Sequence, residues 1–170
     1  MIESPYIKPK INIDKLSFYI LVGCLTILTL LILFWVLIPF SLGSKYLENN
    51  ELTYEQKTQL AKQLTIIKIV SYIANSLALI CFLIYIVFLR HKLKAGYGFL
   101  ISWMFVFSVL SALPWFRGTK YLWLEEIIVG CFISLVCVII VFYLVFLAFK
   151  LHWTRRIHFY EWFKIHKKGN

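Results

Sequence analysis

Residues 127–149 read IIVGCFISLVCVIIVFYLVFLAF, 23 consecutive positions without a charged side chain. A buried helix of a soluble protein seldom stays apolar beyond about 10–14 residues, whereas crossing a hydrocarbon layer of about 30 Å takes about 20. Upstream, three more runs meet that length: residues 97–113, 64–89 and 16–39. In lipid every backbone group must be satisfied within its own segment, so runs of this kind are helices. The fold class is therefore an all-α integral membrane protein, a bundle of four transmembrane helices.

Composition agrees with this reading. Of 170 residues, 61% are hydrophobic and 15% charged, against about 45–50% and about 25% in soluble domains. This excludes an ordinary globular enzyme and a disordered chain. Cys24, Cys81, Cys131 and Cys137 all lie within the apolar runs without a CxxC spacing, so they read as small packing residues and a disulfide scaffold is excluded as well. Ile, Lys, Phe, Tyr and Asn supply 67 residues, against 21 of Ala, Gly, Pro and Arg. That bias is the coding signature expected of an AT-rich genome such as that of a low-GC bacterium, and an AT-rich protist or a virus would show the same.

The first run exceeds the h-region of a signal peptide, about 7–15 residues, and no small-x-small site follows it, so it is expected to remain as an anchor. The chain is then one membrane domain. It comprises an N-terminal segment (1–15), a first span (16–39), an outer loop (40–63), a second span (64–89) and an inner loop (90–96). A third span (97–113), a second outer loop (114–126), a fourth span (127–149) and a basic aromatic tail (150–170) follow. Thr53-Tyr54-Glu55-Gln56 fits a capping box, and residues 55–64 lack Gly and Pro. The second helix is thus expected to start near Tyr54, as an extracytoplasmic helical extension, and to run to about Arg90.

The formal charge of +10 could suggest a nucleic-acid partner, but its distribution argues otherwise. The N-terminus, the inner loop and the tail carry 12 Lys and Arg; the other side carries six, namely Lys45, Lys57, Lys62, Lys68, Arg117 and Lys120. Under the positive-inside rule both termini are cytoplasmic, in a cell membrane, and no nucleic-acid binding is implied. Trp35, Trp115 and Trp123 fall at the outer boundary, and Trp153 and Trp162 at the inner one, the depth such rings prefer. Pro39 and Pro114 stand where outward-running helices should stop.

None of the eight acidic residues falls inside an expected span; Glu125 and Glu126 are placed at the edge of the second outer loop. Ion-coupled transport usually requires an ionisable group at mid-depth, so this absence argues against it. The four histidines lack the i, i+4 spacing of helical metal ligands, and HExxH, GxGxxG, Walker and GxSxG motifs are absent. No catalytic site, metal or cofactor is expected, and the chain does not read as an enzyme.

What remains are packing and binding surfaces. Ser71, Asn75 and Ala78, Ser108 and Ala112, and Gly130 and Ser134 are candidate helix-packing positions, since small residues let helices approach closely in lipid. Asn75 is the costliest polar group to bury, and Thr29 and Ser108 lie at a similar depth as candidate partners. In the tail, Arg155, Arg156, Lys164, Lys167 and Lys168 interleave with Phe159 and Trp162, a composition suited to anionic lipid of the cytoplasmic leaflet or to a protein partner. At 100° per residue the tail rings surround the helix, unlike a clean surface helix. The expected role is a non-catalytic structural or accessory subunit of a larger membrane complex, with other membrane subunits or itself as partners. The alternative is a small oligomeric channel or passive transporter component, lined by Thr26, Thr29, Ser71, Asn75 and Ser108.

Overall fold

The computed structural model describes residues 9–10, 13–42, 53–91, 96–116 and 123–167. All regular structure among the described residues is helical: α1 (Lys15–Leu42), α2 (Tyr54–His91), α3 (Tyr97–Ala112) with a 3-10 turn at Leu113–Trp115, and α4 (Leu124–Lys167). Four helical stretches are long and apolar enough to cross a membrane. The loops at 43–52, 92–95 and 117–122, with the Lys45, Lys92, Lys94, Arg117 and Lys120 counted above, lie outside the described residues, as do Lys8 and Lys168.

α2 starts at Tyr54 because Thr53 ends the preceding chain with half of a capping box. The Thr53 N–H donates to Gln56 Oε1 at 3.1 Å, and the Thr53 carbonyl accepts the first helical bond, from Lys57. The helix then runs unbroken through Thr65, whose hydroxyl donates to the Ala61 carbonyl at 2.8 Å. α4 begins at Leu124 and continues past the apolar run to Lys167, 44 residues in all, about 65 Å at 1.5 Å per residue, so the basic aromatic tail is helical as far as Lys167. No Gly or Pro interrupts residues 150–167, so nothing in the tail terminates the helix.

α4 is the central element, packed against α3 and α1, while α1 also packs on α2. The buried positions repeat at alternating spacings of three and four: Leu21, Leu25, Leu28, Ile32 and Trp35 on α1, and Ile133, Cys137, Ile140, Leu144, Leu147 and Leu151 on α4. This is the seam spacing of helices lying nearly along one another. The spans are apolar on all sides, so hydropathy alone does not reveal which face is the seam. α2 contributes Leu79, Phe82, Ile86 and Leu89. Phe82 is fully buried and meets Trp103 and Phe107 of α3 at ring-centroid distances of 4.6 and 4.8 Å.

The ends of the helices are tied by polar contacts. At one end Lys150 of α4 forms an ion pair with Asp14, and Arg155 Nε donates to the Pro9 carbonyl at 3.0 Å. The Tyr143 hydroxyl donates to Ser17 Oγ at 2.8 Å, and the Arg90 guanidinium lies 4.5 Å from the Phe18 ring centroid. The start of α1, the end of α2 and the Lys150 turn of α4 therefore meet at the same end of the bundle.

Candidate functional site

The opposite end is built around Pro39. Inside a helix a proline removes the N–H that would bond the carbonyl four residues earlier, and here that carbonyl belongs to Trp35. Lys68, about four turns into α2, supplies the missing donor: its ammonium lies 3.3 Å from the Trp35 carbonyl oxygen and 4.4 Å from the Trp35 ring centroid. The same ammonium forms an ion pair with Glu126 Oε1 of α4. Glu126 sits in the first turn of α4, where a carboxylate is favoured by the helix dipole, and its Oε2 accepts the Trp123 N–H at 3.2 Å.

Lys68 is 3% exposed and Glu126 fully buried, so both charges have left water. Desolvation alone would cost several kcal/mol per ion. Here the ammonium meets a carboxylate, a carbonyl and a ring face, and the carboxylate meets an ammonium and a backbone N–H. The cluster joins α1, α2 and α4 at one point. Trp35 Nε1 beside it is buried without a hydrogen-bond partner among the described residues.

This corrects two expectations. Lys68 does not belong with the cations of the outer loop, and Glu126 is not a loop residue but a buried member of α4. Lys68 lies about 33 Å along α2 from Arg90, and Trp35 about 30 Å along α1 from Lys15. The pair therefore lies about 30 Å along the helices from the Lys15 and Arg90 end, a length comparable to a hydrocarbon layer. Between these two ends the described residues hold no Asp or Glu.

A second polar knot holds α3 to α4. Ser134 Oγ donates to the Ser111 carbonyl at 2.8 Å and accepts the Trp115 indole N–H at 2.9 Å. One turn earlier on α4, Gly130 faces Pro114; a Cβ there would lie 3.0 Å from Pro114 Cβ. Gly130 and Ser134 thus sit where α4 meets the Leu113–Trp115 turn. Ser108 and Ala112 are instead exposed, because α3 buries Leu100, Phe107 and Leu110, the side that interlocks with Phe82.

Asn75 does not reach Thr29 or Ser108. Its amide donates to Ser71 Oγ, 3.2 Å away on its own helix, while Thr29 and Ser108 donate to the carbonyls of Leu25 and Met104. Short hydroxyl side chains on a helix find the carbonyl one turn back more readily than a neighbouring helix. Ser71, Asn75 and Ala78 are half-buried and follow the inward stripe that runs from Lys68 to Leu79 and Phe82.

In the tail, Arg155 lies 4.5 Å from the Tyr97 ring centroid, and Arg156 lies 5.8 Å from that of Tyr160. Phe159 stacks with Phe163, Trp162 is half-buried and Lys164 exposed. The Lys167 side chain and Lys168 lie outside the described residues. No group of three or more His, Cys, Asp or Glu side chains that could hold a metal occurs among the described residues.

No protein-family model, curated protein or solved structure matches the chain.

Proposed function

We propose that the protein is a non-catalytic structural or accessory subunit of a larger assembly in the cell membrane, with both termini cytoplasmic. The observation that carries this reading is Asn75. It lies in the apolar stretch of α2, half-buried, and its hydrogen bonding among the described residues ends at Ser71 of the same helix. An amide has two N–H donors and a two-lone-pair acceptor. In hydrocarbon each unmet group costs free energy, and a neighbouring transmembrane segment meets it at about 0.6–2 kcal/mol per bond. α2 is the helix placed to receive such a segment, because its packing within the chain is chiefly along α1. The outward extension of α2 and the long C-terminal arm of α4 supply further contact surface on either side of the membrane, the arm also suiting anionic lipid.

The channel reading draws less support. Thr26 and Ser108 are exposed and bonded to their own helices, so the five polar residues do not line one path within a single copy. A photo-crosslinking residue in place of the exposed Ala74, which flanks the Ser71–Asn75–Ala78 side of α2, in cells at native expression, tests the proposal. A covalent adduct with a second polypeptide, and a native mass above one chain, are the expected results. A monomer yielding lipid adducts alone overturns it.

A further inference from the structure

Between α3 and α4, at the end where Lys150 meets Asp14, a groove of about 420 Å³ is lined by Tyr97, Met104, Val145, Ala148, Phe149 and His152. From Tyr97 to Met104 on one wall, and from His152 to Val145 on the other, it runs about 10 Å along the helix axes. Its chemistry changes along that length. The walls are Met104, Val145, Ala148 and Phe149, with Ala148 leaving room that a larger side chain would fill. The mouth is polar: the Tyr97 hydroxyl and His152 Nδ1 are 3.2 Å apart. Beyond them Arg155, nearly one turn further along α4, lays its guanidinium over the Tyr97 ring.

We propose that this groove binds an anionic phospholipid, one acyl chain lying along Met104, Val145 and Ala148 and the phosphate at His152, Tyr97 and Arg155. The argument is charge and depth together. The apolar part begins at the level where α3 enters the apolar layer, and the polar mouth stands at the level of a headgroup. Among the described residues of α4 between 150 and 161, the charges are Lys150, paired with Asp14, Arg155, Arg156 and Glu161, so the local balance is positive. Arg155 presents a planar fork of donors suited to phosphate, with its Nε held by the Pro9 carbonyl. The proposal rests on membrane insertion as read above, but not on orientation or on assembly with partners.

The test is native mass spectrometry of the full chain in detergent, titrated with phosphatidylglycerol or with phosphatidylcholine of the same acyl chains. One adduct is expected to form preferentially with phosphatidylglycerol, by about fivefold for one charge acting on the headgroup. Ala148→Trp should abolish binding of both lipids, and Arg155→Gln should remove the preference while leaving binding. Val145→Trp, blocking the same groove from another position, guards against a misfolded variant, and Ile139→Trp on the exposed side of α4 should change nothing. Equal binding of the two lipids, or adducts unaffected by the groove-filling changes, overturns the proposal. Competition by glycerol phosphate as strong as by the lipid would make the mouth a bare phosphate site and overturn it too. So would a dimer that sheds lipid on forming, since a second copy would then occupy the groove.

Discussion

Lys68 donates to the carbonyl oxygen of Trp35 at 3.3 Å, the carbonyl whose helical donor would have been the N–H that Pro39 lacks. A defect in one helix is thereby met by a charged side chain of another. This links the sequence position of a proline to the docking of α2, and it makes the effect of removing the proline depend on Lys68.

Pro39→Ala restores the missing N–H. With Lys68 replaced by Met, that N–H takes an otherwise unmet carbonyl, and the substitution should stabilise by about 1–3 kcal/mol. With Lys68 present the carbonyl is already bonded, and the gain should fall below about 1 kcal/mol. Thermal unfolding in detergent of the four proteins in this cycle reads the difference. Equal gains in both backgrounds would show that Lys68 does not serve this carbonyl.

Lys68→Met alone leaves the buried Glu126 carboxylate without its ammonium, and Glu126→Gln alone leaves the ammonium without its carboxylate. Breaking one side of a buried pair costs about 3–5 kcal/mol, whereas removing both charges is far milder. The double variant should therefore be more stable than either single one, because the introduced amide oxygen still accepts the Trp123 N–H. Additive losses in the cycle would mean that the two charges act independently.

The four helices could be read from length and apolarity, and the start of α2 from the Thr53–Gln56 capping pattern. The charge pair could not be, for an identifiable reason. Counting charges by side treats any Lys near a boundary as part of a loop, although Lys68 is the fifth residue of the apolar run that begins at Leu64. The signals were local: a proline leaving a carbonyl open at Trp35, and an acid three residues after Trp123 at the start of α4. Asn75 and Ser108 show the opposite failure. Depth alone suggested that they meet other helices, but depth does not determine rotation about a helix axis. On spans that are apolar all round, rotation is set by the interlock of large side chains such as Phe82 and Phe107.

Gly130 tests that interlock at the α3–α4 junction. A methyl group there must displace Pro114, 3.0 Å from the new Cβ, so Gly130→Ala should cost about 1 kcal/mol and Gly130→Leu about 3 kcal/mol or more. Gly23 has nothing within 4 Å of an added Cβ, and Gly23→Ala should be neutral or slightly stabilising. Melting temperatures of the three variants settle the comparison; indifference at Gly130 would mean that α4 does not meet the Pro114 turn.

The continuity of α4 makes a prediction about distance. Val138 and Lys164 are both exposed, one inside the apolar stretch and one in the basic arm. Spin labels at these positions, with the four native cysteines replaced, should lie about 39 Å apart if the helix is unbroken. A tail lying along the membrane surface would have to turn near Lys150, where Lys150 holds Asp14 and Leu151 is fully buried. That turn would shorten the distance to about 28 Å, the two limbs of about 18 and 21 Å meeting near a right angle. Double electron–electron resonance in nanodiscs separates the two geometries. A narrow distribution near the longer value fixes the arm as a rod projecting from the bundle, and a shorter one would place its aromatic residues in the headgroup layer instead.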